Sequence, residues 1–336
     1  MNLKQAIQNN NALPNRPLGD GGLDGGVVIV MDIGGTRIKA GLVKQDKILC
    51  TASIDAESVN GLKEKLPLIE SMVNDMLQQY AIDKNAIKGV GISMPGIVDS
   101  KQKKVLSIDN KFNDVVEMNL SEWVYNTWQT NLEIENDARC ALIGEWQFGK
   151  GIGYDNVVLM TIGTGVGSSA VIEGKILRGK HFQAGCLGGH FTININGAIC
   201  NCGNIGCVET EASTWNIEHI AKNNTGYQSS ILSKQHKIDF ESIFRCANDG
   251  DVLAKELRNI CVDVWSAAAV NLIHAYDPEV MVIGGGVMAS ADYIIPYIQQ
   301  KTDAHAWTPW GKVKIEAAEN INAAALLGAA WLIYNN

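Results

Sequence analysis

The chain has 336 residues, a formal net charge of −8 and a hydrophobic content of 46%. This length is enough for two domains. The acidic charge, without a dense Lys/Arg run, argues against a nucleic-acid partner, and no apolar run approaches the ~20 residues that a membrane helix needs. The N-terminus lacks the apolar segment of a secretion signal, so we expect a cytoplasmic protein with no membrane partner.

The predicted domain organisation begins after a polar N-terminus. Residues 1–26 are rich in Asn, Gly and Pro, which predicts a flexible tail with at most a short helix at Leu3–Gln8. We expect an N-terminal lobe over residues 27–136, completed by a C-terminal helix at 322–336. A C-terminal lobe is expected over residues 137–321.

The pattern of apolar residues within the lobes predicts an α/β protein. Strands are expected at 27–33, 37–43, 47–53, 88–94, 132–136, 156–162 and 279–285. The main helices are expected at about 62–80, 120–130, 137–148, 252–276 and from 322.

One internal repeat carries information about the architecture. Residues 27–49 and 157–177 follow the same plan: an apolar strand, a glycine-rich turn, a returning strand, a polar turn and then Lys-Ile-Leu. The repeat predicts two lobes of similar topology, each presenting a glycine turn to a shared cleft.

The glycine turns are candidates for phosphate binding. A turn without side chains brings backbone N–H groups close to a ligand, although each turn alone is also typical of an ordinary hairpin. Asp32 precedes the turn at 34–36 and is placed to hold Mg²⁺ on nucleotide phosphates. The turn at 163–167 is its counterpart, and a third turn at 284–287 is either a tight strand-to-helix connection or a nucleotide contact.

A polar pair, Asn136 and Asp137, stands where a predicted strand meets a predicted helix. Asp is a common helix N-cap, which is the simpler interpretation. Phosphoryl transfer to an alcohol also needs a carboxylate to accept the hydroxyl proton, and strand ends are where α/β enzymes place such groups. Asp137 is therefore the candidate general base.

Three cysteines and one histidine are crowded into the segment 190–207. A cytoplasmic protein keeps its thiols reduced, so a disulfide is less favoured than a metal site. Three thiolates and one imidazole form a closed tetrahedral set of the structural-zinc type, the alternative being reduced buried cysteines. The predicted ligands are His190, Cys200, Cys202 and Cys207.

Taken together, these residues resemble the ROK family of sugar kinases and related repressors, which has the two-lobed actin-like, hexokinase-like ATPase fold. The resemblance rests above all on Cys-x-Cys-Gly-x-x-Gly-Cys-x-Glu at 200–209. It implies transfer of the γ-phosphoryl of ATP to a hexose or N-acetylhexosamine hydroxyl, usually O6, with Asp137 as base, Mg²⁺ as catalytic ion and Zn²⁺ as structural ion. We also expect a homodimer or a higher homo-oligomer.

The resemblance assigns further site residues. For the sugar, it implies contacts from Asn110, Asn136, Asp137, His190 and Glu209. For ATP, it implies contacts from Asp32, Gly34, Gly35, Thr36, Lys39, Gly163, Thr164, Gly165, Gly284, Gly285 and Gly286. The stretch Ser93–Asp99 is expected to border the sugar pocket.

Two positions depart from the family pattern. The family has Glu-x-Gly-His where this chain has Leu187 followed by Gly-Gly-His190, and no acidic residue lies between Glu173 and Glu209. Arg139 stands where the family often has Asn. We therefore expect a sugar other than glucose to be preferred.

Two other functions fit the sequence less well. The first is a sugar-sensing regulator with weak or no catalysis, but the repressors carry an N-terminal winged helix that 26 residues rich in Asn, Gly and Pro are not expected to encode. The second is a nicotinamide enzyme, which is disfavoured because neither glycine turn has the Gly-x-Gly-x-x-Gly spacing between strand and helix.

Overall fold

The computed structural model describes residues 26–109, 111–321 and 323–336. It divides into two compact units. Unit 1 contains the described residues up to Ile152, Gly179–Gln183 and the C-terminal end from 323; unit 2 contains Gly153–Arg178 and Ala184–Ile321. The predicted tail, except Gly26, lies outside the described residues.

Unit 1 is built on a five-stranded mixed sheet. Its strands are β1 (Val27–Ile33), β2 (Arg37–Lys44), β3 (Lys47–Asp55), β4 (Ile87–Met94) and β7 (Leu132–Asn136), with a separate hairpin of β5 (Ile97–Asp99) and β6 (Lys104–Ser107). The strand order in the sheet is β3-β2-β1-β4-β7. β1, β2 and β3 form an antiparallel meander, while β4 and β7 run parallel to β1. The carboxyl ends of β1, β4 and β7 therefore meet at one edge of the sheet.

The described part of unit 1 contains four α-helices: α1 (Leu66–Gln79), α2 (Leu120–Trp128), α3 (Asp137–Phe148) and α9 (Ala324–Tyr334). α1 begins four residues later than predicted, because a 3₁₀ turn at Lys63–Lys65 precedes it and Pro67 fits only the first turn of a helix. The apolar faces of these elements enclose a core around the sheet.

Helix α3 is part of unit 1, which moves the boundary between the units from the predicted 136/137 to Ile152. The reason is its close contact with α9. A Cβ on Gly144 would lie 2.1 Å from the Ala324 carbonyl oxygen, and a Cβ on Gly328 would lie 1.9 Å from the Cys140 carbonyl oxygen. Only glycine allows the two backbones to come this close.

Unit 2 repeats the topology of unit 1. Its strands are β8 (Val157–Ile162), β9 (Val166–Ile172), β10 (Lys175–Ile176), β11 (Val280–Gly284) and β12 (Lys314–Ala317). Their order in the sheet is β10-β9-β8-β11-β12. β8 and β9 form an antiparallel hairpin, and β11 and β12 run parallel to β8. The predicted α/β class and duplicated hairpins are confirmed.

The helices of unit 2 surround a second core that packs on its own sheet. They are α4 (Val208–Glu211), α5 (Thr214–Asn223), α6 (Phe240–Asn248), α7 (Val252–Tyr276) and α8 (Ala291–His305). The long helix α7 has the predicted bounds. Within the described residues, no helix of either unit is both long and apolar enough to cross a membrane.

Candidate active site

The first glycine turn connects β1 to β2 and carries Asp32 at its entrance. The turn is closed by a hydrogen bond from the Gly34 N–H to the Arg37 carbonyl oxygen (2.9 Å). Asp32 is half-buried and faces Lys39 directly across the antiparallel pair. The Ser93 hydroxyl, at the end of β4, donates to Asp32 Oδ1 at 2.7 Å.

Burial raises the pKa of Asp32, and the Ser93 hydrogen bond and the positive charge of Lys39 oppose that rise. A carboxylate in this position gains from a nearby cation, because a positive charge favours its ionised form. The end of β1 therefore provides the kind of oxygen ligand that Mg²⁺ takes when it also binds nucleotide phosphates.

Asp137 is the first residue of α3, and Asn136, not Asp137, caps that helix. The Asn136 Oδ1 accepts from the Arg139 N–H at 3.2 Å. Asp137 Oδ1 accepts from the Ala138 N–H at 2.8 Å and from Asn136 Nδ2 at 3.0 Å. The cap interpretation of Asp137 is therefore wrong, and within the described residues no hydrogen bond reaches its Oδ2.

The pKa of Asp137 is raised to about 6, first by burial and then by the nearby Asp32 carboxylate. The positive charge of Lys111 and the hydrogen bonds from Ala138 and Asn136 oppose the rise. A carboxyl group with this pKa is ionised at neutral pH and is more basic than an ordinary aspartate. Both properties suit a general base.

Asn136, predicted to bind sugar, has both amide hydrogens engaged within unit 1. Its Nδ2 donates to the Gly96 carbonyl oxygen at 2.9 Å as well as to Asp137. These bonds fix the orientation of the Asp137 carboxylate, so the described contacts of Asn136 are those of a positioning residue. Asn110, the other predicted sugar-binding asparagine, lies outside the described residues.

The second glycine turn, in unit 2, connects β8 to β9 and is held by the helix α5. The Gly163 N–H donates to the Gly165 carbonyl oxygen at 2.9 Å. At the start of α5, the Thr214 N–H donates to the Gly163 carbonyl oxygen and the Trp215 N–H donates to the Thr164 carbonyl oxygen, each at 3.1 Å. The turn is therefore rigid, as a preformed phosphate site requires.

Glu209 lies against this same turn. Its Oε2 accepts from the Val166 N–H at 3.0 Å, and a Cβ on Gly165 would lie 2.4 Å from that oxygen. Glycine at 165 thus leaves room for the carboxylate. Within the described residues no hydrogen bond reaches Oε1, so the second oxygen is available for the sugar contact predicted for Glu209.

The third glycine turn follows β11 and contributes to a cavity in unit 2. Gly285 has a φ of +94°, and a Cβ there would lie 2.2 Å from the Ile162 carbonyl oxygen, so only glycine fits. The cavity has a volume of about 650 Å³, and it brings the second and third turns together. Its lining includes Gly163, Thr164, Asp239, Phe244, Arg245 and Gly286.

The α6 side of this cavity was missed by the sequence analysis. The Asp239/Ser242 capping box could have located the start of α6. Nothing in the sequence indicated that Phe244 and Arg245, from successive positions of that helix, face a cavity beside Gly163.

The His/Cys segment brings all four predicted ligands together, with their ligand atoms within 4.8 Å of one another. Cys200 Sγ lies 3.7 Å from His190 Nδ1, and Cys202 Sγ lies 3.7 Å from Cys207 Sγ. Tetrahedral zinc with ~2.3 Å bonds separates its sulfurs by about 3.8 Å, whereas a disulfide needs about 2.0 Å. The cluster could therefore hold a metal ion, and the cysteines are free thiols.

The ring of His190 can serve two partners. Nδ1 faces the cysteines, so Nε2 lies on the other side of the ring. This geometry is compatible with both contacts predicted for His190, a metal ion at one nitrogen and a sugar hydroxyl at the other.

The two departures from the family pattern have different structural settings. Arg139 is fully buried: Nη1 pairs with Glu135 Oε1 at 3.2 Å and Nη2 donates to the Phe182 carbonyl oxygen at 2.9 Å. It anchors the segment Gly179–Gln183 within unit 1. Leu187 is half-buried and leads into the 3₁₀ turn Gly188–His190.

The glycine pair after Leu187 is required by close packing inside unit 2. The Gly188 N–H donates to Ser168 Oγ at 2.8 Å, and a Cβ on Gly189 would lie 1.8 Å from the Val166 carbonyl oxygen. The backbone that carries His190 is thereby fixed against the strand that follows the second glycine turn.

Comparison with known proteins agrees with this geometry. The ROK family model matches residues 28–336. A glucokinase of Thermotoga maritima is 30% identical over 313 residues, covering 91% of this chain and 96% of the relative. The solved structure of a ROK family glucokinase from Streptomyces griseus in complex with glucose and AMPPNP has a TM-score of 0.78 at 29% identity, covering 91% of this chain and 99% of that one.

A regulator shares the same fold. The structure of a ROK family transcriptional regulator, a homologue of the E. coli MLC protein, has a TM-score of 0.78 at 26% identity and is covered over 79% of its length, against 93% of this chain. The predicted actin-like, hexokinase-like fold is confirmed by these likenesses. With a family model matched over nearly its whole length, the chain belongs to the ROK family.

Proposed function

We propose that the protein is an ATP-dependent sugar kinase that transfers the γ-phosphoryl of ATP to a hydroxyl, O6, of a hexose or N-acetylhexosamine. The observation that carries the proposal is Asp137, a carboxylate at the start of α3 whose pKa is raised to about 6 beside the first glycine turn. The T. maritima and S. griseus glucokinases support the same reaction class.

Asp137 acts as the general base through Oδ2. Its Oδ1 is held by the Ala138 N–H and by Asn136 Nδ2, so the carboxylate is fixed and the proton of the sugar hydroxyl passes to the other oxygen. The sugar oxygen attacks the γ-phosphorus, a P–O bond forms, and the bond to the bridging oxygen of ADP breaks. Positioning and charge stabilisation supply most of the catalysis in this reaction class.

Asp32 is the residue that would hold Mg²⁺. One carboxylate with phosphate and water ligands is the donor set that Mg²⁺ usually takes in nucleotide sites. When bound, the ion supplies positive charge to the phosphate oxygens. The Ser93 hydroxyl at 2.7 Å keeps the Asp32 carboxylate oriented.

His190, Cys200, Cys202 and Cys207 would hold Zn²⁺ as a structural ion. Four protein ligands close the coordination sphere, so the ion has no open position for a substrate. Its role is to fix the segment that presents His190 and Glu209 to the sugar.

The alternative function is that of a sugar-responsive regulator with weak or no catalysis. The likeness to the structure of a ROK family transcriptional regulator supports this alternative. The fixed Asp137 carboxylate favours the kinase. A panel of hexoses and N-acetylhexosamines, scored for ADP release with wild type and Asp137→Asn, separates the two. Sugar-dependent ADP release by wild type, lost in the variant, is the expected result. Sugar binding without turnover would support the regulator.

A further inference from the structure

The side chain of Lys111 lies across the first glycine turn. A Cβ on Gly35 would lie 2.8 Å from both Cδ and Cε of Lys111 and 3.3 Å from its Nζ. The end of the lysine side chain therefore occupies the space that a side chain at position 35 would take. Lys111 and Gly35 are 76 positions apart in the sequence and belong to the same unit.

The residue after Lys111 fixes the backbone at this position. Phe112 is fully buried and has a left-handed conformation, with φ 46° and ψ 45°. Its N–H donates to the Ser58 carbonyl oxygen at 2.7 Å. A non-glycine residue keeps this conformation only where its surroundings impose it, and such residues are concentrated at functional sites.

The ammonium group of Lys111 is close enough to the active-site carboxylate Asp137 to act on it through its charge. Within the described residues, no carboxylate lies within 4 Å of its Nζ. The charge of Lys111 acts on the Asp137 carboxylate and lowers its pKa, while the Asp32 carboxylate raises it. Asp32 in turn faces Lys39 across the β1–β2 pair, and the positive charge of Lys39 opposes the rise in the pKa of Asp32.

We propose that Lys111 is a further catalytic residue, whose ammonium contacts the γ-phosphoryl oxygens of ATP over the first glycine turn and stabilises their charge during transfer. The inference rests on the proposed kinase function. In the transfer step the proton of the sugar hydroxyl goes to Asp137 and the electron pair of the broken P–O bond to ADP, so Lys111 contributes charge and no proton. A positioned cation is a common stabiliser of a transferring phosphoryl group.

Binding of two nucleotides gives a test that does not depend on turnover. A non-hydrolysable ATP analogue and ADP, each with Mg²⁺, are titrated by calorimetry into wild type, Lys111→Met, Lys111→Arg and the surface control Lys47→Met. Lys111→Met should weaken the binding of the ATP analogue about tenfold and the binding of ADP less than about twofold, because only the analogue carries a γ-phosphate. Lys111→Arg should restore part of the difference, and Lys47→Met should match wild type.

Kinetics provide the second measurement. Lys111→Met should lower kcat by about 10²-fold or more, with the sugar KM within about twofold of wild type. The acid limb of its pH profile should move to higher pH, because a cation that lowers the pKa of Asp137 is gone. Circular dichroism confirms that the variants are folded.

Equal effects on the analogue and ADP, or a kcat above half of wild type with an unmoved acid limb, would overturn the role of Lys111. If wild type phosphorylates no sugar, the kinase proposal fails. The nucleotide titration then still decides whether Lys111 contacts a γ-phosphate.

Discussion

Replacing Asp137 by asparagine should abolish turnover and at the same time stabilise the fold. The amide cannot accept the hydroxyl proton, and loss of a general base typically lowers the rate by about 10²–10⁴-fold. The amide oxygen can still accept from Ala138 and Asn136, so the local structure is preserved. Both effects follow from the loss of one negative charge, that of the ionised Asp137 carboxylate.

The stabilisation follows from the pKa. A rise from 3.8 to about 6 corresponds to roughly 3 kcal/mol by which ionised Asp137 destabilises the folded state. Because the residue is half-buried and solvent screens part of its charge, about 1–2 kcal/mol is the better expectation. A raised folded-state pKa means that this destabilisation is absent below pH 3.8, grows as the pH rises and is complete above about 6.

The assays are a coupled measurement of ADP release and urea unfolding at pH 4 and pH 7. The variant should be more stable than wild type at pH 7 and nearly equal to it at pH 4. For wild type, kcat/KM should fall about tenfold per pH unit below about 6, as the base is protonated. A variant that keeps more than a tenth of wild-type turnover, or that shows the same stability difference at both pH values, would falsify this account of Asp137.

Three further predictions concern unit 2. Freshly purified protein should contain one equivalent of zinc, and Cys202→Ser or chelation should release it and weaken sugar binding; full activity without metal would contradict this. Gly165→Ala should raise the KM for ATP more than Gly163→Ala does, because a Cβ at 163 meets open space whereas one at 165 meets a carboxylate. Equal KM values for ATP in the two variants would show that a Cβ at position 165 does not displace the Glu209 carboxylate. Leu187→Glu should raise kcat/KM for glucose about tenfold at unchanged zinc content. If kcat/KM for glucose does not rise, Leu187 does not determine which sugar is preferred.

The parts of the fold that could be predicted are those encoded locally. The two hairpins follow from alternating apolar residues around glycine turns, and α7 from a long run of helix-forming residues bounded by Asp251 and Asp277. The His/Cys cluster was predictable because residue type and spacing define such a candidate metal site. In each case the information lies within a few tens of neighbouring residues.

What could not be predicted depends on contacts between distant segments. The place of α3 in unit 1 depends on the close approach permitted by Gly144 and Gly328. The position of Lys111 depends on an unusual backbone conformation at its neighbour, which the sequence does not reveal.

Glu209 shows how a structural metal segment can affect both substrates of the proposed reaction. It follows the last cysteine ligand, Cys207, by two residues, and its Oε2 holds the Val166 N–H at the second glycine turn. On the proposed function, Oε1 binds a sugar hydroxyl and the turn binds phosphate. A movement of the segment that carries the His/Cys cluster would then displace one carboxylate that contacts both the second glycine turn and the sugar. Loss of a bound metal ion should consequently weaken ATP binding as well as sugar binding, although none of the four predicted metal ligands is among the described residues that line the cavity beside Gly163 and Gly286.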